Sequence, residues 1–414
     1  MTSIPYSILT IPYSLFPTHY SLFTIHTHHS LFTKKLYLCR VKFYTSMYNN
    51  DPRTVITLDA GGTHFRFSAM RGCEAVADTF ELPTHPHDLA LLLEDLRTGF
   101  QHIIDQLPER PAAISFAFPG PADYPNGVFP DRLTNFPCFE GGVALKAYLE
   151  AQFGLPVFIN NDADLFTYGE ALAGALPILN EKIRAAGGVK QYHNLIGFIL
   201  GTGFGIGITS HDQMFMGDNC CSEIYCSPSK WGHELIAEEG VSLRAVLRYY
   251  RETATDDRAE SYTDSYDIYR IADGTLDGDR EAARNAFARF GEAAGYTIAQ
   301  AACMLDGILV LGGGVSKAAK FYMPALLREL RTEMHTLGGQ TLPRVPSYIY
   351  NLEDPQEFDA FVHGQTREIE VFGTGKRIRI DTQRRLGITL SQLGTSRATA
   401  IGAYCFALHA LDNE

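Results

Sequence analysis

Val55-Ile56-Thr57-Leu58-Asp59-Ala60-Gly61-Gly62-Thr63-His64-Phe65-Arg66-Phe67 is the stretch that decides the fold. An apolar strand runs into an acid, two glycines and a threonine, and a second strand follows. The pattern predicts a β-hairpin whose turn carries one carboxylate, one hydroxyl and backbone N–H groups bared by glycine. Such a turn can lie under a polyphosphate. Glycine lets the backbone come close, the N–H groups and hydroxyl donate, and the acid can hold a hydrated Mg²⁺.

The same unit recurs downstream. Leu195–Leu200 reads as a strand, Gly201-Thr202-Gly203 as a turn and Phe204–Ile208 as the returning strand. Between the two hairpins the chain alternates helix and strand. Asp88–Leu107 is a predicted helix with Leu89, Leu92, Leu93, Leu96, Phe100, Ile103 and Ile104 on one face. Ala112–Phe118 is a buried strand that ends at Pro119-Gly120-Pro121. Val143–Phe153 is a helix, Pro156–Asn160 a short strand, and Asp162–Ala175 a helix that starts at an acid. Later come helices over Leu243–Tyr250 and Asp279–Met304. A strand over Gly307–Leu311 runs into Gly312-Gly313-Gly314, and a helix over Ser316–Met334 follows. A repeated strand–glycine-turn–strand unit predicts two similar α/β halves facing a cleft. The first half is expected at 52–160 together with a closing helix in 396–414, the second at 161–395. The less regular stretch 335–390 reads as an insertion in the second half.

Composition bounds the partners. The 414 residues suit two to three domains at roughly 150 residues each. A net charge of -12 argues against a nucleic-acid partner and a basic membrane-binding face. Eight cysteines in no paired framework point to a reducing, cytoplasmic setting. No apolar run is long enough to cross a bilayer. Residues 1–46 form a degenerate repeat, with Ile4-Pro5-Tyr6-Ser7, Ile11-Pro12-Tyr13-Ser14 and His29-Ser30-Leu31-Phe32 as its clearest copies. They lack the basic start, continuous apolar centre and small-residue cleavage site of a secretory signal. The expectation is a disordered tail or a mis-called start, with the functional protein beginning near Met47. His26, His28 and His29 lie in this tail.

Taken in order, the chain carries Asp59-Ala-Gly-Gly-Thr63, Pro119-Gly-Pro121, Leu133-Thr-Asn135-Phe-Pro137, Asn160-Asn161-Asp162-Ala163, Gly201-Thr-Gly203-Phe-Gly205-Ile-Gly207 and Leu311-Gly-Gly-Gly-Val315. This series resembles the actin-like ATPase superfamily and, within it, the ROK family of bacterial sugar kinases and repressors. The resemblance covers about residues 54–334 and the last helix. It implies two actin-like (ribonuclease H-like) α/β domains around a central cleft. It also implies ATP and Mg²⁺ as cofactors, a hexose substrate and, for many members, a homodimer. Asp59, Gly61, Gly62 and Thr63 would hold metal and phosphates, with Asp59 reaching Mg²⁺ through water. Gly201, Thr202 and Gly203 would close over the β- and γ-phosphates, and Gly312, Gly313 and Gly314 would receive the adenosine. Asp162 would be the general base, which needs a carboxylate within about 3 Å of the proton it removes. The helix start is expected to keep it ionised, although an acid there also reads as an N-cap. Asn135 and Asn161 would meet sugar hydroxyls, and Gly120 would offer backbone. Asn135 also reads as a plain loop residue and Pro-Gly-Pro as an ordinary sharp turn.

The pattern departs from the family in one region. Family kinases follow Glu-x-Gly-His with a cysteine cluster that binds a structural zinc. Here the corresponding stretch is Glu223-Ile224-Tyr225-Cys226, and the cysteine run is replaced by Ser227-Pro228-Ser229-Lys230-Trp231-Gly232-His233. Cys220, Cys221, Cys226 and His233 supply four ligand types for zinc, but adjacent cysteines are poor co-ligands and no Cys-x-x-Cys spacing exists. The alternative is free thiols. Glu223 matches the family's first sugar-binding glutamate. Glu238, four residues before Ser242, matches the second, with a solvated helix-capping acid as the other reading.

The leading expectation is an ATP-dependent sugar kinase of glucokinase or hexokinase type. The alternative is a ROK-type sugar-responsive regulator, whose DNA-binding helix pair has no counterpart in the residues before the first strand. A nucleotide-binding protein without catalysis is set against intact Asp59 and Asp162. A dinucleotide-dependent dehydrogenase fails because neither glycine cluster has the Gly-x-Gly-x-x-Gly spacing between strand and helix.

Overall fold

Two six-stranded sheets repeat one plan in the computed structural model, which describes residues 48–61 and 63–413. The N-terminal repeat and Gly62 lie outside the described residues. In the first sheet, Val55–Ala60 pairs antiparallel with His64–Arg71, then parallel with Ala113–Ala117, which pairs parallel with Val157–Asn160. Glu74–Ala75 and Phe80–Pro83 extend the hairpin edge. In the second sheet, Asn194–Leu200 pairs antiparallel with Phe204–Ser210 and parallel with Ile308–Gly312, and Arg385–Leu390 and Tyr348–Asn351 continue the parallel set. Each lobe therefore opens with a hairpin and grows away from it by parallel strands. Parallel strands need covered faces, which explains the helices between them.

Helix placement follows local chemistry. Asp88 caps the helix Leu89–Gln106 by accepting from the Leu91 N–H at 3.1 Å. Leu92, Leu96, Phe100 and Ile103 recur every three or four residues and are buried against the first sheet. An aromatic cluster completes that core. Phe118 stacks on Phe136 and Phe139 with ring centroids 4.7 and 5.5 Å apart. Pairs of this kind add about 0.5–1.5 kcal/mol each beyond burial, and they pin the loop carrying Asn135 to the sheet.

Two helices join the lobes. The helix Asp162–Leu172, termed the base helix, follows the last strand of the first sheet and packs on the second sheet's hairpin. The final helix, Thr395–Asn413, follows the last strand of the second sheet and packs on the first sheet and along the base helix. The predicted helix Asp162–Ala175 ends earlier, at Leu172. Gly174 breaks it, and a second helix runs over Ala175–Ala185.

The stretch 335–390 is more than an insertion. Tyr348–Asn351 and Arg385–Leu390 are strands of the second sheet, so half of that lobe's parallel set lies within or at the end of it. Only the two-stranded hairpins Glu333–His335 with Thr341–Pro343 and Thr366–Glu370 with Arg377–Asp381 stand apart from the sheet. Arg385 hid its strand from a pattern reading. Its guanidinium is buried and paired with Asp381 at 2.7 Å, an arrangement that no alternation of apolar residues reveals. No helix among the described residues is long and apolar enough to cross a membrane.

Candidate active site

Asp162 is the first residue of the base helix, and Asn161 is its N-cap. The Ala163 N–H donates to Asn161 Oδ1 at 2.7 Å and to Asp162 Oδ1 at 2.8 Å. The cap is therefore Asn161, and the Asp162 carboxylate also accepts from its own N–H. The residue keeps exposed surface while protein atoms crowd the carboxylate. This loss of solvent pushes its pKa above the usual aspartate range, the Ala163 N–H pulls the other way, and the charge of Asp59 adds to the rise. The expected effect of the helix start is present but smaller than burial. A carboxylate with raised proton affinity takes up a proton more readily near neutral pH.

The second hairpin lies directly against this helix. A Cβ at Gly207 would collide with the Ala163 carbonyl and with Thr167 Oγ1. Thr167 Oγ1 itself donates to Ala163 O at 2.7 Å, so the helix's first turn is fixed where the hairpin touches it. The hairpin turn is held from its other side. Phe204 N–H donates to Glu238 Oε2 at 3.1 Å, and Leu243 N–H donates to Gly201 O at 2.9 Å. Thr202 at the tip is exposed, with Gly201 and Gly203 half-buried beside it. The first hairpin brings Asp59 and Thr63 to the surface, and Gly61 N–H donates to His64 O at 3.1 Å to close its turn. Asp59 acts electrostatically on Asp162, so the two carboxylates lie near one another.

Further carboxyls lie near Asp162. Asp164, Glu223 and Glu238 sit within electrostatic reach of Asp162 or of one another. Burial and then the charges of Glu223 and Asp162 push Asp164 up to about 8, and burial and then Asp162 and Glu238 push Glu223 up to about 7. Glu238 is divided in its contacts. One oxygen accepts from Phe204 of the hairpin and the other from Arg244 at 3.1 Å. Asn161 also hydrogen-bonds the Tyr124 hydroxyl, which donates to Phe118 O at 2.9 Å. A Cβ at Gly120 would lie 2.8 Å from that hydroxyl, so this turn admits only glycine without displacing Tyr124.

Asp59, Asn161, Asp162, Gly201, Gly203, Glu223 and Glu238 are thus joined by hydrogen bonds, packing or fields, while Thr63 and Thr202 stand exposed on their turns outside this set. Asn135 is also outside it, exposed in a turn closed by Phe136 N–H donating to Leu133 O at 3.2 Å. Gly312 ends a central strand of the second sheet and Gly313 adopts φ 90°, where its N–H donates to Thr395 Oγ1 at 2.8 Å. Gly314 is exposed. Cys221 donates through Sγ to Asn219 O at 3.0 Å, and Cys226 and His233 face solvent. Among the described residues no three His, Cys, Asp or Glu side chains are gathered to hold a metal ion, so Cys220, Cys221, Cys226 and His233 form no such cluster. Sequence reading overlooked Asp164 because an acid in the first turn of a helix reads as dipole complement. The signal available was its spacing, two residues beyond Asp162 on the same exposed helix start.

A family model described as the ROK family matches residues 55–340. This chain belongs to the ROK family. Among solved structures, this ROK protein is similar to a glucokinase from Parabacteroides distasonis. The two are 45% identical with a TM-score of 0.80, over 88% of this chain and 99% of that one. An N-acetyl-D-glucosamine kinase of Vibrio cholerae is 30% identical over 161 residues, which are 39% of this chain and 48% of that protein. That match spans about half the length of the relative. A glucokinase of Halalkalibacterium halodurans is 25% identical over 322 residues, 71% of this chain and 88% of that enzyme. The ROK fold is the actin-like one of two α/β lobes, and the duplicated sheet plan agrees with it.

Proposed function

We propose that this protein is an ATP-dependent hexose kinase of the glucokinase type, with Asp162 as general base. The observation that carries the reading is the base helix: it begins at Asp162, within electrostatic reach of Asp59, and its first turn rests on the second hairpin at Gly207. The likeness to glucokinases supports it.

Phosphoryl transfer needs positioning and charge neutralisation more than covalent help. Asp162 takes the proton of the acceptor hydroxyl as that oxygen attacks the γ-phosphorus in line, and the bond to the β,γ-bridging oxygen breaks with ADP leaving. The bared N–H groups at 201–203 and 61–63 donate to the phosphates, and the turn at Gly312, Gly313 and Gly314 receives the adenosine. Asp59 and Thr63 offer one carboxylate and one hydroxyl side by side on the exposed turn. This donor set fits a hydrated Mg²⁺ shared with phosphates and does not fit a closed protein cage. When bound, the ion supplies charge neutralisation on the triphosphate. Gly120, Asn135, Asn161, Glu223 and Glu238 are the proposed sugar contacts. Glu238, tied to Phe204, then links the sugar side to the phosphate hairpin. Lobe closure over the sugar excludes water that would otherwise accept the phosphoryl group. We take the lobes as 52–160 with 396–414, and 161–395.

A coupled ADP-release assay with glucose, mannose, fructose, allose and N-acetylated hexosamines tests the proposal. Mg²⁺-dependent turnover with one hexose well above the water background is expected. No turnover with any of them would overturn the reading.

A further inference from the structure

Glu170 is a carboxylate without exposed surface, one turn from the end of the base helix. Its hydrogen-bond partners are three neutral donors. Ala175 N–H donates to Oε2 at 2.7 Å, and Ser391 Oγ–H and Leu393 N–H donate to Oε1 at 2.5 and 3.0 Å. A charge taken from water in this way is costly unless its lone pairs are satisfied. A neutral helix end could be packed there with less penalty, so the location of the three donors is informative.

The chain passes between the sheets twice. It leaves the first sheet at Asn160, runs through the base helix and the helix Ala175–Ala185, and enters the second sheet at Asn194. It leaves the second sheet at Leu390, passes through residues 391–394 and returns in the final helix. Ala175 lies on the first passage, and Ser391 and Leu393 lie on the second. One carboxylate therefore fastens both passages together. The second passage also holds the turn assigned to the nucleotide. Gly313 N–H donates to Thr395 Oγ1 at 2.8 Å, and Ser391 N–H donates to Leu311 O at 2.9 Å. Ser391 Oγ, while donating to Glu170, accepts from Gly394 N–H at 2.9 Å. A continuous series of bonds thus runs from Gly313 through Thr395 and residues 391–394 to Glu170. The base helix then carries it to Asp162.

We propose that Glu170 is a positioning residue that couples occupancy of the Gly312–Gly314 turn to the placement of Asp162. The inference rests on the kinase reading above. A nucleotide that draws on the turn displaces residues 391–395, and the carboxylate transmits that displacement to the base helix because its other oxygen is fixed to Ala175. Its donors are two backbone N–H groups and the Ser391 hydroxyl, so the two passages set its geometry.

The test compares D-glucose binding to the full chain with and without Mg²⁺ and the non-hydrolysable analogue AMP-PNP, alongside kcat. In the wild type AMP-PNP should tighten glucose binding by about fivefold or more, the lower end of ordinary coupling between sites. Glu170→Gln keeps size and an acceptor for Ser391 and Leu393 but turns an amide N–H toward Ala175 N–H. It should bring the coupling ratio close to one and lower kcat about tenfold, with glucose binding alone within twofold of wild type. Ser391→Ala should weaken the coupling, and Ser391→Thr, which restores the hydroxyl, should recover it. These two decide the matter if Glu170→Gln does not fold. Variants that lose thermal stability but retain wild-type coupling and kcat would reduce Glu170 to a structural tie and overturn the inference alone. Absence of coupling in an active wild type overturns it too, whereas a wild type inert toward every hexose overturns the kinase reading and this inference with it.

Discussion

The two glycine hairpins share a topology and divide the chemistry. At 55–71 the turn carries an acid, Asp59, with Asp59 and Thr63 exposed and Thr63 O accepting from Thr84 N–H at 3.0 Å. At 194–210 the turn carries no charge and is gripped from two sides. Glu238 and Leu243 hold its backbone, and the base helix lies against its strands through Gly207. One hairpin supplies charge for a metal and phosphate, and the other supplies fixed backbone donors and a seat for the base. Duplication preserved the scaffold, and packing against the base helix differentiated the copies.

The division is most directly broken at the base. Asp162→Asn should lower turnover by about 10²–10⁴-fold, the usual range for a proton-transfer group, with circular dichroism and melting temperature close to wild type. Coupled ADP release measures the first and thermal denaturation the second. Near-normal turnover would mean that another carboxyl, Asp164 or Glu223, serves as base. Next in size, Asp59→Asn should lower kcat by about tenfold to a hundredfold and raise the Mg²⁺ concentration for half-maximal rate, since the first hairpin is assigned the charge. A fall in rate that no Mg²⁺ titration shifts would remove the metal from that hairpin.

The packing half of the comparison is tested by two alanines. At Gly207 an added Cβ meets the backbone carbonyl of Ala163, and at Gly201 it meets open space. Gly207→Ala should cost about 1–3 kcal/mol of stability, as overpacking does, and should lower kcat because it displaces the base helix. Gly201→Ala should leave the denaturation midpoint almost unchanged. Equal midpoints for the two variants would mean that the base helix does not bear on the second hairpin at Gly207.

Much of this was legible in the sequence because the informative residues are glycines in strand–turn positions, where a local pattern has a direct geometric reading. Both hairpins and the Gly312–Gly314 turn followed from such positions, and the start of the base helix followed from Asn161-Asp162. The strands Tyr348–Asn351 and Arg385–Leu390 did not, since one is four residues long and the other begins with a buried arginine paired to Asp381. Glu170 was equally hidden. Its partners Ser391 and Leu393 lie more than two hundred positions away, with separations of 221 and 223. A lone glutamate in a helix gives no sign of such ties. The contact of Glu238 with Phe204 was missed for the same reason, because its neighbour comes from another element.

The smallest predicted effect concerns the acids beside the base, where the second lobe meets the base helix. Burial and the charges of Glu223 and Asp162 hold Asp164 up at about 8. An unfolded aspartate titrates near 3.9, so between these values the folded protein binds a proton that the unfolded chain has released. The resulting stability is complete below the unfolded value and is lost as pH rises through about 8. Glu223, raised to about 7, acts in the same direction. Asp164→Asn removes one titrating carboxyl from this group. Its melting temperature should therefore fall less between pH 6 and pH 9 than that of the wild type, leaving it more stable at pH 9 by on the order of 1–2 kcal/mol once partial exposure screens the repulsion. Parallel melting curves across that range would show that the acids of the second lobe do not load the base helix. The electrostatic half of the contrast between the hairpins would then rest on Asp59 alone.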